Sequence, residues 1–221
     1  MDILAAIQAR HSTRAFTPQA VSREQIETIL ATASHAPSGV NTQPWKVVVA
    51  EGKCKQAITE TLLEARAEEL EPRPDYAYYP GEWLEPYAGR RIECGRALYT
   101  ALGIERHDKT RKLQAWQNNY HFFGAPVGLF FFIDRKLATG SWLDMGMFIQ
   151  SVMLAAVGLG LATCAQAALA DYPERVRKLL EVDENYALIC GMSLGYADTE
   201  HPVNQYRLPR EPVANFTTWC R

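Results

Sequence analysis

The sequence predicts one soluble domain that combines α-helices with a β-sheet, and three observations carry that expectation. Its 221 residues suit one large domain, although two small ones would also fit, and its 48% hydrophobic and 22% charged content is that of a globular protein. Segments with the 3.6-residue period of amphipathic helices are interspersed with short apolar runs of strand length. No internal repeat or low-complexity tract is visible.

Each element follows from local chemistry. Ile3, Leu4 and Ile7 share one helix face that ends near Arg10. Ser22 and Gln25 have the spacing of a capping box and open a helix with Ile26, Ile29, Leu30 and Ala33 on one side, which Pro37 closes. Trp45 to Ala50 reads as a buried strand, and residues 53–69 return to a helical pattern with glutamates on the wet face. Residues 71–87 break the rhythm. Pro72, Pro74, Pro80 and Pro86 forbid long regular structure, while Tyr76, Tyr78, Tyr79, Trp83 and Tyr87 supply aromatic area that a flexible linker would lack, so this stretch reads as an ordered loop or lid. Helical patterns resume over 89–102 and 108–120, and Val127 to Ile133 is a strongly apolar strand. A core helix is expected from Trp142 to Val157, with Gly158 and Gly160 at its C-terminus. Strands over 161–166 and 186–196 flank a short helix starting near Pro173, and residues 197–221 read as an extended arm.

A formal net charge of −2 argues against nucleic acid as a partner, which normally calls for a basic stripe. The five cysteines, Cys54, Cys94, Cys164, Cys190 and Cys220, form no C-x-x-C pair, so a reduced, cytoplasmic protein is the simplest expectation. No secretory signal is apparent. Met145 to Leu161 is interrupted by Gln150, Ser151 and glycines and reads as a core helix, so no membrane span is expected. No H-E-x-x-H, phosphate-loop or zinc-spaced motif occurs, and no metal is expected.

Two patterns carry possible chemistry. Gly191-Met192-Ser193-Leu194-Gly195 matches the nucleophile elbow of serine hydrolases, with Asp198 and His201 in the right chain order. The elbow needs strand, sharp turn and helix, whereas the following residues read as strand end and loop; a glycine-flanked strand packed closely on a neighbour explains the motif better. The second pattern is Arg10-His11-Ser12-Thr13-Arg14. A solvated helix end would account for Arg10 against the helix dipole, but not for donors that continue through Ser12 and Arg14. Forked guanidinium groups beside hydroxyls suit a phosphate or a polyhydroxyl chain. The loop at 37–44 adds hydroxyl and amide groups that could flank a ring, though helix termination and strand entry would also explain it.

The set R-H-S-x-R-x-F from Arg10, P-S-G-x-N-x-Q-P-W from Pro37 and a late R-x-P at Arg210 resembles the FMN-dependent nitroreductase family. Residues 118–126, 140–148 and 191–198 extend the resemblance over essentially the whole chain, and G-S-W-L-D with the late R-E-P-V is similar to its nitrobenzene and nitrobenzoate reductase branch. The resemblance implies an α+β fold, with a central, mostly antiparallel sheet wrapped by helices, in a homodimer whose C-terminal arms are exchanged. It implies FMN in the dimer interface, with Arg10, Ser12 and Arg14 on the phosphate and ribityl chain, His11 alongside, and Arg210 with Arg207 as a clamp from the tail. Pro37, Ser38, Gly39 and Asn41 would come from the partner subunit to line the ring. Asn118 would face the flavin or ribityl chain, His121 would sit near the cofactor, and the backbone around Gln166 and Ala167 would donate to the flavin N5 edge. Position 208 is Leu and 121 is His where some members carry lysine, so less fixed positive charge surrounds the reduced ring.

The implied activity is reduction of nitroaromatic compounds by NADH or NADPH through the flavin, in a ping-pong scheme with no protein nucleophile. The same scaffold also serves reductive dehalogenation, ene-type reduction and flavin-consuming lyase chemistry. A flavin carrier without activity is a further alternative. Tyr79 and Trp83 are candidate substrate residues, since flat aromatic side chains suit flat substrates; packing at a dimer surface would equally explain them.

Overall fold

The computed structural model describes residues 2–221. Among the described residues, seven α-helices surround a four-stranded antiparallel sheet, in agreement with the α+β expectation. The strands are β1 (Lys46–Glu51), β2 (Val127–Asp134), β3 (Ala162–Gln166) and β4 (Tyr186–Gly195), in the spatial order β1-β2-β4-β3. The helices are α1 (Ile3–Ala9), α2 (Arg23–Ala33), α3 (Gly52–Ala67), α4 (Tyr87–Ala101), α5 (Lys109–Gln117), α6 (Thr139–Gly158) and α7 (Pro173–Leu179). The Ser22 capping box forms as read: Gln25 N–H donates to the Ser22 hydroxyl at 3.1 Å, and Ser22 N–H donates to the Gln25 side chain at 3.0 Å.

The sheet separates two cores. Strand β2 is buried on both faces, which is why its sequence is a continuous apolar run. Leu129, Phe131 and Ile133 point to the side of α2 and α6, while Phe130 and Phe132 point to the side of α3 and α7. Along β4 the alternation changes phase. Ala187 and Ile189 face the α6 side, but so do Cys190, Met192 and Leu194, because a bulge interrupts the β2–β4 register between Phe131 and Phe132. The phase change turns Gly191, Ser193 and Gly195 toward the α3 side, where space is short. A Cβ at Gly191 would lie 2.4 Å from Leu169 Cδ1, and one at Gly195 would lie 2.7 Å from Pro126 Cδ. Close packing therefore accounts for both glycines of the G-x-S-x-G pattern.

Two expectations need correction. Helix α5 stops at Gln117 instead of continuing to Tyr120, because Phe122, Phe123 and Gly124 all adopt positive φ and turn the chain sharply into β2. Helix α6 begins at Thr139, earlier than Trp142, and its 20 residues are long and apolar enough to cross a membrane by length and composition alone. Gln150, Ser151 and the glycines do not interrupt it. In the fold its inner residues Met145, Phe148, Val152 and Ala156 pack in the core against α2 and the sheet.

Candidate functional site

The arginine segment is held open by its neighbours. After α1 the chain runs extended: Ser12 bridges Thr163 of β3, Thr13 N–H donates to Thr163 O at 3.0 Å, and Phe16 bridges Ala197. Buried Asn204 ties this segment to the tail. Its Oδ1 accepts from Arg14 N–H at 2.8 Å, while its Nδ2 donates to the carbonyls of Ala15 and Asp198, each at 2.8 Å. The tail then places Tyr206, Arg207 and Arg210 opposite Arg10, His11, Ser12 and Arg14, around a cleft of about 370 Å³ that α4 closes with Cys94.

The charges in this cleft are unbalanced. Arg14 Nη1 reaches only neutral groups, the Ser12 carbonyl at 3.4 Å and the Tyr206 hydroxyl at 3.3 Å. Arg207 donates to the carbonyls of Asn204 and Tyr206. Among the described residues none of Arg10, Arg14, Arg207 and Arg210 pairs with a carboxylate. His11 donates from Nδ1 to Ala9 O at 3.0 Å and leaves a buried Nε2 without a partner. Burial, and then the charges of Arg207, Arg10 and Arg14, lower its pKa despite the Ala9 contact. The site is thus a concave cluster of fixed positive charge, built to receive an anion.

The second motif lies elsewhere in the chain. Gly39 N–H donates to the buried Asp144 carboxylate of α6 at 3.1 Å, and Gln43 N–H donates to Ser38 Oγ at 3.0 Å. These bonds hold Val40, Asn41 and Gln43 at φ of 45°, 59° and 48°, a conformation unfavourable for non-glycine residues and above all for a β-branched one. Pro37, Gly39 and Asn41 are exposed, Ser38 is half-buried, and none of them lines the arginine cleft of its own chain.

Asn118 caps α5 and, with Asn119, Arg14 and Val203, lines a recess of about 60 Å³. His121 is exposed beside it. The turn at 122–124 is braced by Lys55, whose Nζ donates to Ala125 O at 2.6 Å while lying over the Phe122 ring. The Gln166 side chain is a structural tie: it donates to Asn119 O at 2.9 Å and accepts from Ser193 Oγ at 2.5 Å. Ala167 begins the turn that follows β3.

Ser193 is fully buried in the middle of β4, and its hydroxyl also contacts Phe122 O at 2.9 Å. His201 Nδ1 accepts from Val203 N–H, and Asp198 accepts from Glu200 N–H; neither is directed at Ser193. The serine hydrolase alternative fails on this geometry. Ser193→Ala is expected to cost about 1–3 kcal/mol of stability by removing the one hydroxyl proton that the Phe122 and Gln166 acceptors share, read by denaturant unfolding.

The aromatic loop at 71–87 is anchored firmly at its base. Half-buried Asp75, with its side chain largely covered, pairs with Arg135 and Arg177 and accepts from Leu188 N–H at 2.7 Å, and Tyr76 OH donates to Ile189 O at 2.8 Å, so the loop supplies partners to β4 beside its bulge. Tyr76 meets Trp142 of α6 edge-on at 4.8 Å. Tyr78, Tyr79 and Trp83 continue as an aromatic ladder, with Tyr79 60% exposed and Arg91 over the Trp83 ring. The structural ties made by Asp75, Asp144, Asn204 and Tyr206 could not be foreseen, because a lone Asp, Asn or Tyr carries no local signature of its distant partner.

Comparison with known proteins agrees with the architecture. The family model described as the nitroreductase family covers residues 7–196. The chain is 39% identical over 217 residues to a 4-nitrobenzoate reductase of Pseudomonas putida, covering 98% of this chain and 94% of the relative. It is 39% identical over 214 residues to a nitrobenzene nitroreductase of Ectopseudomonas oleovorans, covering 96% and 94%. A solved FMN and NADPH-dependent nitroreductase, NfnB from sphigopyxis sp. strain HMH, superposes with a TM-score of 0.97 at 38% identity over 100% of both chains. With the motifs, the antiparallel sheet and the full-length match in agreement, the chain belongs to the nitroreductase family.

Proposed function

We propose that this protein is an FMN-dependent oxidoreductase that uses NADH or NADPH to reduce nitroaromatic compounds. The observation that carries the reading is the cleft where four arginines from opposite ends of the chain converge without a carboxylate to neutralise them. A phosphate fits that donor set in charge and in forked geometry, and Ser12 and the free Nε2 of His11 suit the polyhydroxyl chain next to it. Arg10, His11, Ser12, Arg14, Arg207 and Arg210 would hold this end of FMN. Asn118, His121 and the backbone at Gln166 and Ala167 would meet its remainder, with Pro37, Ser38, Gly39 and Asn41 contributed by a second subunit. When bound, the flavin supplies the redox chemistry by accepting an electron pair from the reduced nicotinamide and passing it to the nitro compound. The chain's own part is to bind, to orient and to exclude water; no protein nucleophile is called for.

The homodimer is part of this proposal. Only a third of the apolar helix α6 is buried within one chain, Leu143 on it is 70% exposed, and α1, which lies against α6, exposes Ile3 and Leu4 at 62% and 69%. A second copy would cover such a face. We read the 221 residues as one domain. The thiols are all free, which supports a reduced, cytoplasmic setting.

The test is an absorbance spectrum of the purified protein before and after anaerobic NADH or NADPH, followed by a nitroaromatic compound. Flavin bands that bleach with the nucleotide and return with the nitro compound are expected, and parallel double-reciprocal lines in steady state. Protein that stays colourless after incubation with FMN refutes the reading. Tyr79→Ala and Trp83→Ala are expected to change relative activities across a nitroaromatic panel; an unchanged ranking would make the ladder a packing feature.

A further inference from the structure

Beneath the aromatic loop lies a cavity of about 220 Å³. Its wall is made by Tyr76, Tyr78, Tyr79, Ile189 and Asp171, the rest being proline or alanine, Ala167 among them. A cavity of about 150 Å³ suffices for a benzene molecule, so one substituted ring fits. Ala167 opens the turn after β3 that the proposed function assigns to the cofactor's reactive edge, which puts this ring-sized space beside the chemistry.

The charge on this wall is one-sided. Among the described residues no lysine or arginine lines it, whereas Asp171 does. The Asp171 Oδ2 accepts from Tyr120 OH at 3.0 Å. Arg135 and Arg177 are both taken up by Asp75, and Arg66, the cation that acts on Asp171, lies over the Trp116 ring and does not line this wall. An aromatic carboxylate entering this space would lose hydration without gaining a countercharge, and would meet a charge of its own sign. An uncharged ring would gain aromatic edges and apolar contact.

Resting on the nitroreductase reading, we propose that the space under the 71–87 loop selects uncharged nitroaromatics over nitrobenzoates. Relatives at the same 39% identity carry both kinds of substrate in their names, so identity does not separate the two classes.

The test uses 4-nitrobenzamide and 4-nitrobenzoate, which share a shape and differ in charge, with the FMN-loaded protein above neutral pH. The ratio of kcat/KM for amide over acid is measured for the wild type, for Asp171→Asn, which keeps an acceptor for Tyr120, and for Ala77→Lys, which adds a cation at an exposed position of the same wall. The wild type is expected to favour the amide, and each variant to shift the ratio toward the acid by roughly tenfold, the order expected for changing one nearby charge. Comparing variants cancels the intrinsic reactivity of the two compounds. A second readout is quenching of tryptophan fluorescence by each compound without reduced nucleotide, expected for the amide and much weaker for the acid. A wild type that prefers the acid, or a ratio unmoved in both variants, overturns the proposal. If neither compound is reduced, the nitroreductase reading has failed, and the fluorescence comparison still decides whether the site selects against charge.

Discussion

Replacing Asp75 with alanine is expected to lower the unfolding free energy by about 3–5 kcal/mol, the range for breaking a buried ion pair from one side. The Asp75 side chain is 7% exposed and that of Arg177 9%, so the guanidinium left behind would have little water to turn to. The Leu188 N–H would lose its acceptor at the same time. Equilibrium unfolding in denaturant, at a fixed protein concentration so that subunit association does not confound the comparison, reads the effect. Asp75→Asn should recover part of the loss by restoring an acceptor. Because Asp75 and Tyr76 together pin the loop to β4, the alanine variant should also become open to limited proteolysis within 71–87. A loss below about 1 kcal/mol would mean that the cluster behaves as a solvated surface pair.

Arg14→Ala is expected to weaken FMN binding by roughly ten- to a hundredfold, the equivalent of losing one charge-assisted hydrogen-bonding group worth about 1.5–3 kcal/mol. Arg14 sits at the junction of the two halves of the cleft, its backbone held by Asn204 and its guanidinium beside Tyr206. Titration of the apoprotein followed by flavin fluorescence measures the affinity directly. Arg14→Lys should restore only part of it, because an ammonium supplies the charge without the fork. Arg23→Ala is the control, since Arg23 is exposed on α2 and paired with Glu27. Equal affinities for the Arg14 and Arg23 variants would remove the cleft from consideration as the phosphate site.

Much of this molecule was legible along the chain. The face of α2 and its capping box follow from contacts three and four residues apart, which any sequence displays. The double-sided burial of β2 is written in seven consecutive apolar residues, Val127 to Ile133, and the concentration of donors from Arg10 to Arg14 announces an anion. The end of α5 was harder to read, because two phenylalanines at positive φ contradict the preference of their residue type and are held there by Lys55 and Ser193.

Local sequence chemistry therefore determined the type of each element and one half of an anion site, while the antiparallel α+β fold was expected from the family resemblance of the separated motifs. Tertiary structure alone decided that Asn204 joins the halves of that site, whereas its closing by Arg207 and Arg210 was expected from the family resemblance and not from local chemistry. It also decided that Asp75 fastens the aromatic loop to β4 and that Ser193 is a buried brace. The reason is one of range. Period, capping and turn chemistry act between residues a few positions apart, whereas these contacts join positions from 27 (Gln166 to Ser193) to 190 (Arg14 to Asn204) apart, and only the folded chain brings them together.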